Sequence, residues 1–215
     1  ELVVHLAGSN SSEAITDLKN EFNVTKELSL HFKNRFIYIS SAKVYSITSS
    51  RPLKETDVTT SHNEYNKLKL MCENEVIKNR GMVLRLSNVY GDGMSYKNVF
   101  SHIKAQIAQN KNEIQLKRPD DTNDFINIED LCEALYLSCQ KPMSKIFNVG
   151  SGSGVTIREL SRLIAYEYGV KDISIKTLEN NYQPITTILC CDLFKKNYDW
   201  KPKIKINLGI KNWLN

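Results

Sequence analysis

Asn63-Glu64-Tyr65-Asn66-Lys67-Leu68-Lys69 and, upstream of it, Ile39-Ser40-Ser41-Ala42 are the two stretches from which the fold can be read. Ser61 followed three residues later by Glu64 has the form of a capping box, which predicts a helix from Tyr65 towards Asn79. Residues four apart on a helix lie one above the other, so Tyr65 and Lys69 share a face. A fixed ammonium beside a phenol favours the phenolate, and such a pair can exchange a proton with a substrate hydroxyl or ketone. Ser41, at the end of the apolar run that begins at Arg35, stands where its hydroxyl can hold the same oxygen. A Tyr-x-x-x-Lys spacing also arises by chance, with a half-buried ring and a solvated amine, so its neighbours must carry the reading.

Working outward, Leu2-Val3-Val4-His5-Leu6, Arg35 to Ser40 and Met82-Val83-Leu84-Arg85-Leu86 are short apolar runs of the kind expected for buried parallel strands. Asp17 to Phe32 has a rough helical period between the first two. Arg85 inside an apolar strand must find a partner, and an internal ion pair is the favoured role. Gly81 is expected just past the end of the Tyr65 helix, and Thr156 with Glu159 forms a second capping box that opens a helix ended by Gly169. The run Gly150-Ser151-Gly152-Ser153-Gly154 has no Lys-Ser/Thr after it, so a strand-to-helix turn is expected there rather than a phosphate loop. The alternation of strands and helices predicts an α/β chain around a parallel sheet. Residues 1–92 form its first part, and residues 93–215 a mixed part interleaved with the last elements of the sheet.

Of the 215 residues, 41% are apolar and 25% charged, an ordinary globular balance. No apolar run approaches the ~18 residues of a membrane span, and no signal-peptide pattern opens the chain, so a cytoplasmic protein without a membrane partner is expected. Five cysteines without a C-x-x-C pair and four scattered histidines argue against a disulfide framework and against a metal site. The net charge of +5 is spread rather than gathered into a stripe, so no nucleic-acid partner is expected.

Val4-His5-Leu6-Ala7-Gly8, Arg35 to Tyr45 with its Ser40-Ser41-Ala42-Lys43, Tyr65-x-x-x-Lys69, Leu84-Arg85-Leu86-Ser87-Asn88-Val89-Tyr90-Gly91 and Phe147-Asn148-Val149-Gly150 follow one another in a familiar order. In this order they resemble the extended short-chain dehydrogenase/reductases, the group of nucleotide-sugar epimerases, dehydratases and reductases. The resemblance runs from end to end and implies a Rossmann-like, doubly wound parallel sheet with a small interleaved substrate-binding part. It implies NAD or NADP as cofactor, a nucleotide-linked sugar as substrate, and a homodimer. Ser41, Tyr65 and Lys69 would be catalytic. Ala7, Gly8, Asn23, Tyr65, Lys69 and Asn88 would meet the cofactor, and Ser41, Ala42, Asn88 and Asn98 the substrate. Asn98 has a helix N-cap as its alternative role. Dehydratases of the group carry Asp-Glu after the hydroxyl residue, whereas this chain has Ala42-Lys43. The resemblance therefore implies an epimerase or a 4-keto-sugar reductase.

The chain also departs from the group. Its first strand resembles the group's fourth, so about two βα units, ~60 residues, with the glycine-rich turn that holds a pyrophosphate, are expected to be missing. As it stands it is expected to be a fragment of an enzyme that binds NAD(P) poorly. Asn66 replaces the usual Gly, Leu68 the usual Ser, and Asn123 an Arg that commonly helps hold the substrate diphosphate, a role for which Lys117 or Arg118 are the nearest substitutes. These departures support an alternative of a different class, a catalytically inactive relative that binds a nucleotide or a protein.

Overall fold

The computed structural model describes residues 1–6, 8, 15–45, 51–109 and 112–214. In chain order the strands are β1 (Val3–His5), β2 (Phe36–Ser41), β3 (Met82–Leu86), β4 (Asn88–Tyr90), β5 (Glu113–Leu116), β6 (Thr122–Asn127), β7 (Ile146–Val149), β8 (Gly154–Thr156), β9 (Ser174–Thr177) and β10 (Thr186–Thr187). The helices are α1 (Ile15–Phe32), α2 (Glu64–Lys78), α3 (Val99–Gln109), α4 (Ile128–Gln140), α5 (Ile157–Glu167), α6 (Asp192–Tyr198) and α7 (Ile206–Leu214).

The main sheet has the order β1-β2-β3-β7, and all its pairs are parallel. Side chains alternate across a strand, so each strand serves two cores. On β2, Phe36 and Tyr38 meet Leu68, Cys72 and Val76 of α2. Ile37 and Ile39 face the opposite side, packed with Leu84, Phe147, Leu131 of α4 and Phe194 of α6. Burial on both faces is why these strands read as predominantly apolar runs.

Strand β6 pairs with β10 and β4 in parallel and with β8 antiparallel. It joins the two halves of the molecule by the same alternation. Phe125 enters a second core with Tyr90, Phe100 and Leu160, and its neighbour Ile126 enters the core under the main sheet.

Register decides where the ligand edge lies. Ser41 stands opposite Leu86, and Leu86 opposite Val149, so the carboxyl ends of β2, β3 and β7 are level. The segments Ala42–Val44, Ser87-Asn88 and Gly150-Ser151 all leave the sheet at this edge, where open α/β sheets bind their ligands.

Two local expectations are corrected. The α2 N-cap is Asn63, whose Oδ1 accepts from the Asn66 N–H at 2.8 Å, in place of Ser61. Asn63 has extended backbone directly before the first helical residue, and Ser61 lies too far upstream to reach it. Beyond the same helix the left-handed residue is Arg80 (φ +63°), and Gly81 is needed for space, since a methyl there would stand 2.7 Å from Val76 Cγ1. The Thr156–Glu159 capping box forms as read, with both reciprocal bonds made.

Candidate active site

Ser41 ends β2, and its Oγ accepts from the backbone N–H of Lys43 at 3.2 Å, which caps the tight turn Ala42–Val44. That turn buries Ala42 and Val44 and leaves the Lys43 side chain outward. Its ammonium lies 5.8 Å from the centre of the Tyr65 ring. The Lys69 ammonium lies 5.6 Å from the same ring. Tyr65 is thus flanked by two cations, one exposed and one buried.

Lys69 is not solvated. Its Nζ stands 2.8 Å from Glu21 Oε1 in an ion pair whose two side chains are only 6% and 4% exposed. Tyr38 donates its hydroxyl to the same carboxylate oxygen at 3.2 Å, and the Lys69 ammonium lies 5.0 Å from the Tyr38 ring. Burial pushes the Tyr38 phenol well above its ordinary range, so it acts here as a neutral donor. Next to it, His5 Nε2 meets Thr25 Oγ1 at 3.1 Å, and burial lowers its pKa against the pull of Glu21. Gly8 roofs this cluster, where a methyl would stand 3.0 Å from Lys69 Nζ.

Two adjoining cavities open at the sheet edge. The inner one, about 280 Å³, is lined by Ser41, Ala42, Lys43, His62, Asn66 and Ser87 among others. The outer one, about 630 Å³, is lined by Ser95, Lys97, Asn98 and Phe125 among others. Lys43, Asn88 and Asn123 line both and so mark where they join. Asn66 Oδ1 and Ser87 Oγ, each buried, make no hydrogen bond in this structure.

A model of the NAD dependent epimerase/dehydratase family matches residues 1–150. The chain belongs to this family. Among curated relatives, it is 31% identical over 136 residues to the dTDP-L-rhamnose 4-epimerase of Burkholderia thailandensis, covering 60% of this chain and 37% of the relative. It is 25% identical over 191 residues to a dTDP-4-dehydro-6-deoxyglucose reductase of Escherichia coli, covering 82% of this chain and 59% of the relative. The chain thus spans between about a third and three fifths of the length of these relatives. Among solved structures, RMD from Pseudomonas aeruginosa complexed with NADPH superposes with a TM-score of 0.85 at 25% identity, covering 99% of this chain and 80% of that one.

Of the residues that the resemblance assigned, Tyr65 and Lys69 share one face of α2, and Gly8 lies against Lys69. Ser41, Ala42 and Asn88 line the inner cavity, whose lining does not include Tyr65, Lys69 or Gly8. Asn98 lines the outer cavity, but its Oδ1 accepts from the Ser101 N–H and its Nδ2 donates to the Ser95 carbonyl, so it also holds the start of α3. Asn23 is not brought to the group: it is exposed and lines a separate groove of about 300 Å³ between α1 and α2. Ala7 lies outside the described residues.

A nicotinamide cofactor fits this arrangement at one end. Gly8 leaves room that a Cβ would fill, over the ammonium of Lys69. Among the described residues the glycine-rich turn Gly150–Gly154 is already committed to a carboxylate of the chain itself. The N–H groups of Ser151 and Gly152 and the Ser151 hydroxyl all donate to Asp124, as does the Leu189 N–H. Burial pushes the Asp124 carboxyl up, against the pull of these donors. Arg118 is held by Asp121 and by the Gln183 carbonyl.

Three contributors were not singled out from sequence. Glu21 lies 48 residues from Lys69, and no local pattern announces such a pair. Ser87 and Asn66 sit beside recognised motif residues, and the Asn replacing Gly at position 66 was the available signal.

Proposed function

We propose that this chain carries the catalytic face of an NAD(P)-dependent nucleotide-sugar epimerase or 4-keto-sugar reductase. The observation that supports it most is the Tyr65 ring, 5.6 Å from the Lys69 ammonium and 5.8 Å from that of Lys43, which lines the same cavity as Ser41. In this reading Tyr65 takes the hydroxyl proton as a sugar alcohol becomes a ketone, and returns it in the reverse direction. Ser41 donates a hydrogen bond to the same oxygen and holds it in place. A bound nicotinamide accepts or supplies the hydride. Lys69 and Gly8 would hold and admit the nicotinamide ribose, and Asn88 and Asn98 would line the path of the nucleotide sugar. Ala42 and Lys43 offer no acid and base pair for the elimination of water, so chemistry at a single carbon is favoured. The protein would work in the cytoplasm as a homodimer through α1 and α2, whose exposed Val24, Leu30 and Met71 are apolar.

The test is to incubate the protein with nucleotide sugars and their 4-keto forms in the presence of NAD+ or NADPH. Epimerisation yields the second sugar with the cofactor unchanged, and reduction consumes NADPH in proportion to product. Neither conversion, together with no saturable binding of NADPH, would reject the enzyme.

One observation favours the second reading, a relative that binds without catalysis. The Lys69 ammonium that this chemistry needs is held by Glu21 in a buried ion pair. If the pair withholds Lys69 from the cofactor, Glu21→Gln strengthens NADPH binding in a fluorescence titration. If the pair orients Lys69 for use, the same substitution leaves that affinity unchanged or weaker.

A further inference from the structure

Two buried ion pairs hold α2, and they differ in how far their cations are used. Arg85 uses every branch of its guanidinium, Nε and Nη2 on Glu73, and Nη1 on the Tyr45 hydroxyl and the Glu55 carbonyl. Among the described residues Lys69 meets one acceptor, Glu21 Oε1 at 2.8 Å. An ammonium has three N–H groups, so two remain. A buried ion pair adds little stability over apolar side chains of the same volume, so stability alone does not account for a half-used ammonium in the interior.

The neighbours of Lys69 come from four elements. Glu21 reaches it from α1. Tyr38 on β2 donates its hydroxyl to the same carboxylate oxygen at 3.2 Å, and its ring lies 5.0 Å from the ammonium. His5 on β1 and Cys72 on α2 also act on this cluster, and burial favours the neutral imidazole and the protonated thiol. Tyr65, on α2 as well, has its ring centre 5.6 Å from the ammonium. Among these neighbours only Glu21 is a carboxylate. The Lys69 side chain is 6% exposed, and a lysine so deeply placed sheds its proton unless a counter-charge stands beside it.

We propose that Glu21 is a positioning residue, which keeps Lys69 charged in the interior and holds its ammonium beside Tyr65, with Tyr38 fixing the carboxylate in turn. This rests on the reading of Tyr65 as proton carrier and of Lys69 as holder of the nicotinamide ribose. One N–H of Lys69 is bound to Glu21, which directs the other two away from the carboxylate. Glu21 itself touches no reacting atom and acts through the charge and direction of the ammonium.

The first test needs no cofactor. Nitrogen NMR follows the Lys69 side chain from about pH 6 to about pH 10, its signal assigned by its loss in Lys69→Met. In the unmodified protein the signal stays that of an ammonium up to about pH 9. In Glu21→Gln, which keeps the size of the side chain and removes its charge, the amine loses its proton at least ~2 pH units earlier. Tyr38→Phe takes a hydrogen bond from the carboxylate and leaves its charge, so Lys69 stays charged in that variant. The second test is NADPH binding by fluorescence titration. Binding is level between about pH 7 and about pH 9 in the unmodified protein and falls about tenfold over that range in Glu21→Gln, the loss of one charge-assisted hydrogen bond. Glu21→Asp, which keeps a carboxylate, restores the level profile.

A Lys69 that titrates alike with and without the Glu21 charge overturns the proposal. So does NADPH binding that strengthens in Glu21→Gln, or that weakens by one factor at every pH, as a merely structural role would give. Circular dichroism checks the fold of Glu21→Gln. If that fold is lost, the unmodified protein decides, and a Lys69 already neutral at about pH 9 overturns the proposal. A Lys69 that titrates as expected in a protein that never binds NADPH rejects the enzyme reading and with it the positioning role, while the charge-keeping pair stands.

Discussion

Glu73→Ala lowers the stability of the fold by about 3–5 kcal/mol, the range found when one partner of a buried ion pair is removed. Glu73 is 2% exposed and Arg85 4%. The guanidinium meets the carboxylate in a fork, with Nη2 2.6 Å from Oε2 and Nε 3.0 Å from Oε1. Ser40 donates its hydroxyl to Oε1, and Arg85 Nη1 donates to the Tyr45 hydroxyl at 3.0 Å. Tyr45 in turn donates to Asn148 Oδ1 at 2.6 Å. Burial pushes the Tyr45 phenol up to about 12 despite Arg85 and Asn148, so it remains a donor.

The chain of bonds ties α2 to β2, β3 and β7, and truncating Glu73 leaves a buried guanidinium without its counter-charge. Urea unfolding gives the result as a lowered midpoint at unchanged slope. Glu73→Gln, which keeps the shape and part of the bonding, costs less. A loss below about 1 kcal/mol in the Ala variant would mean that water or another acid replaces the carboxylate, contrary to the geometry.

Glu73 also bears on function through spacing. Tyr65, Lys69 and Glu73 recur every four residues and form one polar stripe along α2. Two of them are anchored, Lys69 by Glu21 and Glu73 by Arg85, and the anchoring sets the height at which Tyr65 meets the sheet edge.

The shared face of Tyr65 and Lys69 was legible in the sequence because helical periodicity is local. The ion-pair role of Arg85 was legible as well, because a charge inside an apolar strand has few outcomes. The strand Met82–Leu86 was read at its bounds, since burial on both faces leaves a run that is apolar but for Arg85. The partners of these residues were not legible. Glu21 reaches Lys69, and Asp124 fills the turn at Ser151 and Gly152, across separations that only the tertiary fold closes. The N-cap of α2 was misplaced for a different reason. Ser61 and Asn63 are both good caps, and the backbone leaving the preceding loop chooses between them. Asn23 was assigned by resemblance alone, and its exposed position on α1 depends on how α1 packs against α2.

Tyr65→Phe is expected to lower kcat by about 10²–10⁴-fold with little change in KM for the nucleotide sugar, the usual cost of removing a general acid or base. Phenylalanine keeps the ring near the Lys43 and Lys69 ammonium groups and removes the hydroxyl alone. Packing is preserved, so thermal unfolding should shift little and a fall in rate reports the missing proton carrier. The split between kcat and KM matters, because Tyr65 in this reading acts on the oxygen as the proton moves and contributes little to holding the ground state. Two controls separate it from its neighbours. Lys43→Thr removes the exposed one of the two cations beside the ring and keeps the phenol, so its effect on the rate is smaller than that of Tyr65→Phe. Lys69→Met lowers the rate and NADPH binding together, because the ammonium would meet both phenol and ribose. Full activity in Tyr65→Phe would remove the phenol from the reaction. The proton would then be carried by another group, and the flanking cations would have to be explained by a bound anion.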